Sequence, residues 1–561
     1  MYRILLTLTL LAILELWGYC IDLPKLAIAA DFQTQQIESL EPSVPLFDNL
    51  GDYHHPISTD SDLAQRYFDQ GLILTYGFNH AEAARSFREA TRLDPNCAMC
   101  YWGVALVLGP NINAAMDTDA VPESWQALQN ALERSQNASN QEQAYIQALA
   151  KRYSLDPRAD RPSLDIAYVQ AMRDVSQRYP DDLDAATLFA EALMDTMPWD
   201  YWIDGKPKPK TQEILATLDS VLDRNPNHPG ANHLYIHTVE ASPEPDRAIP
   251  CADRLRNLVP GSGHLVHMPS HIYIRVGRYH DAAIANQRAI AVDQNYITQS
   301  STPGLYRSAY VPHNPHFLWA SASMEGRSEV AMQAARHTAA MVDQHKMRQP
   351  EYDTLQHYYL IPLYTLARFG KWDEILAEPS PGQELKYPTG VWHYARGMAF
   401  LSKGQLDPAT EELNQLNAIA ADPELAKMLI WDINSTANLL HIASEVLAGE
   451  LAAKQADYES AIAHLQMAVR LQDELRYDEP ETWYYPVRQS LGAVLLDADQ
   501  TATAEQVYRQ DLEIHPNNGW SLFGLAQSLQ AQGKIQEARA VQERFQEAWK
   551  YADVILTASR F

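Results

Sequence analysis

Cysteine is nearly absent, with four residues in a chain of 561. So sparse a supply excludes a disulfide framework, and the lone Cys97-Ala98-Met99-Cys100 motif has no second pair with which to build a zinc knuckle. In an oxidising compartment its two thiols would form a local disulfide or an activated pair; otherwise they read as small residues filling an inter-helix gap. Basic charge is also short: 44 Lys and Arg stand against 71 Asp and Glu, giving a net charge of −27. Phosphate binding needs clustered Lys and Arg, so no nucleic-acid partner is expected. No apolar run reaches the roughly twenty residues of a membrane span; the run from Ile4 to Leu14 has eleven. A glycine-rich phosphate loop of the form G-x-x-x-x-G-K, a Gly-x-Ser-x-Gly elbow and a His-Glu-x-x-His zinc-protease signature are all missing, since Leu234 follows His233 and Met268 follows His267. Strand-like alternation is scarce as well.

What is present begins with an export signal. Arg3 precedes the short apolar run, and Ala27-Ile28-Ala29 offers a small-x-small cleavage pattern, so residues 1–30 read as a signal peptide. The mature protein is then periplasmic or secreted and begins near Ala30 or Asp31, with no other membrane association. A retained N-terminal anchor is the alternative. Residues 31–60, rich in Pro, Gln, Asp and Ser without helical periodicity, read as a flexible leader.

From 61 to 561 the chain repeats. Gly71, Ala83, Phe87, Ala90 and Pro95 mark one unit, and the same skeleton recurs as Ala248 with Pro260 and as Gly277, Tyr279, Ala282 and Ala289. Later copies carry Gly326 with Ala331, Gly370 with Trp372, Gly404 with Ala409, and Gly449 with Tyr458, Ala461 and Ala468. Two more hold Gly492, Ala504, Tyr508 and Pro516, then Gly533 with Ala538. These spacings resemble the tetratricopeptide repeat, whose 34-residue unit is two antiparallel helices. The resemblance implies an all-α solenoid of helix pairs, a TPR-like superhelix whose first helices line a concave groove. Between 109 and 225 the period is obscured and the stretch reads as an irregular insertion, although Ser163 to Pro180 and Glu213 to Pro226 still read as amphipathic helices, with Trp199 to Lys210 an extended loop inserted within a helical hairpin.

Histidine is concentrated where the groove should be: twelve of the nineteen fall between His228 and His357. The segments starting at Pro229 and Gly263 superpose with an offset of 34 residues, which lays His233 over His267 and His237 over His271. Each pair is spaced i, i+4, so both rings share one helix face. Glu240 extends the first face, and His264 the second. Read as tetratricopeptide units starting at Pro229, Gly263 and Pro312, the chain puts His233, His267 and His316 at one groove position, and His264 and His313 at another.

Neutral imidazole is the commonest nitrogen ligand, and two such pairs on neighbouring helices predict a transition-metal site for zinc, copper or iron. The candidate metal ligands are His233, His237, Glu240, His264, His267, His271, His313 and His316. The expected core is His233, His237, His267 and His271 around one ion with Glu240 nearby, and His313, His316 and His357 are placed further along as a second polar patch. Glu240 is the candidate base if the site is catalytic. Pro269, Pro315 and Pro362 leave open whether the first helix of each central unit begins before or at the proline. Two functions follow: a scaffold binding a peptide, protein or small molecule in its groove, or a metal-dependent hydrolase or oxidoreductase built there. His80, His280, His337, His345, His464 and His515 read as ordinary contact residues.

Overall fold

In five of the pairs a left-handed glycine ends the first helix. Gly277, Gly326, Gly370, Gly404 and Gly533 have φ between +65° and +74°, a region closed to most side chains. The N–H two positions beyond the helix then turns back: Arg278, Arg327, Lys371, Gln405 and Lys534 donate to the carbonyls of Tyr273, Ala322, Leu366, Phe400 and Leu529 at 2.7–3.0 Å. This closure satisfies carbonyls the helix leaves unpaired and reverses the chain into the second helix.

The computed structural model describes residues 44–156, 158–349 and 352–561. Residues 1–43, which hold the signal peptide, its cleavage pattern and Cys20, lie outside the described residues. In order the helices are α1 (Asp62–Tyr76), α2 (His80–Leu93), α3 (Ala98–Val107), α4 (Val121–Arg134), α5 (Asn140–Leu149), α6 (Arg161–Arg178), α7 (Leu183–Asp195), α8 (Pro209–Arg224), α9 (Pro229–Val239), α10 (Ile249–Leu258), α11 (Gly263–His267), α12 (Pro269–Arg275), α13 (Tyr279–Gln299), α14 (Val311–Met324), α15 (Ser328–Ala340) and α16 (Asp353–Arg368). The C-terminal half continues with α17 (Trp372–Ala377), α18 (Lys386–Ser402), α19 (Leu406–Ala420), α20 (Thr436–Lys454), α21 (Tyr458–Asp473), α22 (Arg488–Asp497), α23 (Thr501–Ile514), α24 (Gly519–Ala531) and α25 (Ile535–Ala548). The only strands among the described residues are two two-residue hairpins, Trp202–Ile203 with Lys206–Pro207 and Leu429–Ile430 with Asn434–Ser435. The fold is all-α, an array of antiparallel helix pairs of tetratricopeptide type.

The repeat skeleton explains the packing. A Cβ added at Gly71 would lie 2.6 Å from the Phe87 ring, and one at Gly103 would lie 2.4 Å from it. The ring of α2 is therefore clamped between α1 and α3, the gap-filling task the spacing assigns it. Tyr508 on α23 is held in the same way between Gly492 and Gly524.

Two expectations are corrected and one open question is answered. The stretch 109–225 is not an irregular insertion: α6 and α8 match the two amphipathic helices read there, α4, α5 and α7 accompany them, and the Lys-Pro segment forms the first hairpin. Residues 44–60 hold no helix but are tied to the array, with Tyr53 Oη donating to Asp184 Oδ1 at 2.7 Å and Ser58 N–H donating to Glu142 Oε1 at 2.6 Å, so the flexible reading fails for this part of the leader. At the prolines, a helical turn precedes each: α11 ends at His267 just before Pro269, and Pro315 and Pro362 lie inside α14 and α16.

The last helices return onto the central ones. Trp520 Nε1 donates to the carbonyl of Ser323 at 3.0 Å, Asp553 accepts from the N–H groups of Ser328 and Glu329, and Arg275 lies over the Tyr477 ring at 5.2 Å. This return brings the 476–486 loop against α12. Cys97 and Cys100 are disulfide-bonded at the N-terminus of α3, leaving Cys251 as the free thiol among the described residues.

Candidate metal centre

Helix α9 starts on His228, whose ring caps the Ala231 N–H, with Pro229 in the first turn where its missing N–H costs nothing. This start fixes His233 and His237 one turn apart on a helix buried along its whole length. Thirty-four residues on, Ser262 caps α11, which carries His264 and His267. Pro269 then breaks the ladder and opens α12, which carries His271. His313 enters from the first turn of α14. His233, His237, Glu240, His264, His267 and His271 are each at most 4% exposed, so they form an enclosed cluster rather than the lining of an open groove. His313 is half-buried.

The Nδ1 atoms of four imidazoles are already committed. His233 Nδ1 donates to the Tyr76 carbonyl at 2.6 Å, one of the carbonyls left over at the end of α1. His267 Nδ1 donates to Asn286 Oδ1 at 2.6 Å, and the amide orientation is fixed because Asn286 Nδ2 donates to the Ala282 carbonyl at 2.8 Å. Glu240 spans two rings: Oε1 accepts from His237 Nδ1 at 2.9 Å and Oε2 accepts from His271 Nδ1. In a neutral ring, a proton on Nδ1 leaves the lone pair on Nε2. The Nε2 atoms then meet: His233 and His264 at 3.1 Å, His267 and His271 at 2.8 Å. His237 Nε2 and His264 Nδ1 are buried without a partner.

Burial, reinforced by the neighbouring imidazoles, holds His233, His264, His267 and His313 well below the usual histidine range, and burial lowers His237 too. These rings are in the neutral form a metal requires. His271 goes the other way, because Glu240 outweighs the burial penalty and raises it to about 10. Burial would raise Glu240, but His271 and His237 beside it pull it below the usual carboxylate value. Glu240 is thus an orienting group whose two oxygens are in use, not the free base expected from sequence.

The geometry sorts the expected ligands. Candidate ligand atoms lie within 4.8 Å of one another in two three-histidine groups, His233 with His237 and His264, and His267 with His271 and His313. A third grouping, His237 with Glu240 and His271, shares the Nδ1 atoms that already donate to that carboxylate. His313, expected in a separate patch, belongs to the cluster. His316 does not: its ring stacks on Trp319 at 5.3 Å and lies 5.9 Å from His357. On α14 the His313 ring lies 4.9 Å from His267, whereas His316 packs on Trp319 and on Tyr358 of α16.

Several contributors were invisible in sequence. Glu479, from the returning loop, places Oε2 3.0 Å from His271 Nδ1 without hydrogen-bond alignment, and burial raises its pKa. Phe78 and Phe317 pack against the rings, and Asn286 acts from behind. Of these, Phe317 had a local signal, standing one turn after His313 on α14. Beside the cluster lies a cavity of about 520 Å³, walled by Arg275, Tyr279, Trp319, Glu479, Trp483 and Tyr484. A separate group, His55 with Asp182 and Asp184, has its oxygens in use: Asp184 accepts from Tyr53, Tyr76 and His55. It fastens residues 44–60 to the array.

No family model matches the chain, and no curated protein matches it. Among solved structures, the Cut9-Hcn1 hetero-tetramer of APC/C is similar at 13% identity over 88% of this chain and 76% of that one, with a TM-score of 0.29. The TPR domain of P58(IPK) is similar at 13% identity over 84% of this chain and 99% of that one, with a TM-score of 0.23. The human IFIT1 dimer with m7Gppp-AAAA is similar at 12% identity over 88% of this chain and 91% of that one, with a TM-score of 0.28. At these values the repeat assignment rests on the chain's own helix packing.

Proposed function

We propose that this chain is an exported tetratricopeptide-type scaffold that holds a transition metal on its central histidines and receives a peptide, protein or small-molecule ligand beside it. The single observation behind the metal is the convergence of buried imidazole nitrogens in two three-histidine groups, with four of the rings held by acceptors on Nδ1 and with His237 Nε2 and His264 Nδ1 left unpartnered. Outer-shell acceptors on Nδ1 are how proteins orient ligating histidines. An imidazole set favours zinc, copper or iron over magnesium or calcium, which prefer oxygen. The ligand site is the adjoining cavity, whose aromatic wall and convergent charged groups suit a specific ligand.

The test is metal analysis of protein purified from its own compartment. Stoichiometric metal is expected, with His237→Ala and His271→Ala each lowering the bound metal at unchanged helix content. Wild-type protein that binds none would make the histidines a hydrogen-bonded core.

Export is supported by the signal pattern of residues 1–30 and by the Cys97–Cys100 bond, which suits an oxidising compartment. Sequencing the exported protein should find a start near Ala30 or Asp31; an intact Met1 would overturn cleavage. No described helix is long and apolar enough to cross a membrane.

One observation favours the enzyme reading. Glu479 faces both the cluster and the cavity, and its Oε2 is buried without an aligned partner. A metal-dependent hydrolase or oxidoreductase would use it as a proton-transfer group, and Glu479→Gln should then abolish turnover while sparing metal content.

A further inference from the structure

The seven residues at the centre are not one ring around a point. They are two copies of one module. The first takes an i, i+4 pair from α9, His233 and His237, and a third ring, His264, from the first turn of α11. The second takes the pair His267 and His271 across α11 and α12, and a third ring, His313, from the first turn of α14. Each copy has its own phenylalanine. The Phe78 ring lies 4.5, 5.9 and 5.5 Å from His233, His237 and His264, and the Phe317 ring lies 4.8, 4.6 and 4.9 Å from His267, His271 and His313. Glu240 joins the two copies by holding one histidine of each. The next unit begins the same pattern and fails: His316 occupies the first position and His357 the third, but Ala320 stands where the second histidine is needed.

Resting on the metal reading above, we propose that the cluster binds two transition-metal ions, one on His233, His237 and His264 and one on His267, His271 and His313. Three nitrogens at 2.0–2.1 Å from one ion stand about 3.3 to 3.6 Å apart. The ligand atoms of each copy lie within 4.8 Å of one another, and the closest nitrogens, at 3.1 and 2.8 Å, need to part by only a few tenths of an ångström. A four-histidine site of His233, His237, His267 and His271 finds no such convergence. Three protein ligands leave each ion an open position, the arrangement of a reactive rather than a structural site. The two copies adjoin, with His237 5.5 Å from His271 and His264 5.8 Å from His267 by ring centres. Six neutral ligands and two nearby carboxylates, Glu240 and Glu479, still leave two dications under-neutralised in a buried space, so the exogenous ligand is a small oxygen-donor anion, such as hydroxide or a carboxylate, held between them.

The experiment is titration of the metal-stripped full chain with zinc and with cobalt, with bound metal counted after desalting. Two ions per chain are expected. His264→Ala and His313→Ala should each retain one, the pair of substitutions none, and His357→Ala two, with circular dichroism reporting the fold of every variant. The wild-type count needs no variant: saturation at one ion overturns the two-ion inference while keeping the metal reading, and zero overturns both. Loss of both ions in a folded His313→Ala protein would also overturn it, since the copies would not be separate sites.

Discussion

At the residue scale, the decisive atoms are not the ligands but the acceptors behind them. Asn286 fixes the proton of His267, and removing its side-chain oxygen frees the ring to flip or change tautomer. Asn286→Ala should therefore weaken metal binding about 10- to 100-fold while leaving stoichiometry unchanged, as measured by competition with a chromophoric chelator. An unchanged affinity would remove Asn286 from the site. Phe78 makes a related point. It holds φ +54° at the turn where five other units use glycine, a backbone that costs about 1 to 2 kcal/mol for an L side chain. The ring it presents to His233 and His264 is what that strain maintains.

At the element scale, two contacts decide whether helices stay where the cluster needs them. The Phe87 ring clamped by Gly71 and Gly103 sets the spacing of α1 to α3. Gly103→Val should lower stability by about 1 to 3 kcal/mol in urea unfolding, because the ring has no room to yield. The second contact pins the 476–486 loop: His515 lies 2.7 Å from Glu481 and 2.9 Å from Asp511. Burial alone would depress His515, but Glu481 and Asp511 outweigh it and raise its pKa to about 10. A histidine raised on folding stabilises fully below its unfolded value near 6.5 and loses that contribution as pH climbs through the folded value. The destabilisation from His515→Ala should thus be largest near pH 6 and fade toward pH 10, read as the difference in Tm from wild type. A difference that grows with pH would contradict the pairing. His515 read as an ordinary contact in sequence because, although Asp511 stands one turn before it, the approach of Glu481 is not visible there.

For the whole molecule, buried neutral histidine dictates an acid weakness. Burial lowers His80 and His357 to about 4, from 6.5. Such a group favours folding above pH 6.5, and the advantage is lost as pH falls through 6.5 toward 4, because the unfolded chain takes up protons the folded chain refuses. Each shift is worth at most about 3 kcal/mol. Metal-free protein should lose stability steeply between pH 6.5 and 4, by denaturant titration at stepped pH, and His80→Gln should flatten that slope. A profile flat down to pH 4 would mean water reaches these rings.

The sequence by itself determined the helix pairs, because small residues, one aromatic and a terminating turn recur at fixed spacing and each encodes a local contact. It also determined the i, i+4 histidine pairs, since helical periodicity alone puts those rings on one face. Within 109–225 it marked α6 and α8 by their amphipathic period but not α4, α5 and α7, whose packing holds without the repeat signature. Only the tertiary structure decided which histidines meet. His313 and His316 are a turn apart on one helix, yet His313 meets His267 and His316 meets His357, because each lies against a different neighbouring unit. Glu240 reads as a base until both its oxygens are found on Nδ1 protons. Glu479 reaches His271 only because the last helices fold back onto α14 and α15. Local periodicity fixes which side chains share a face, whereas their partners depend on how faces distant in the chain are brought together, and that is set by packing.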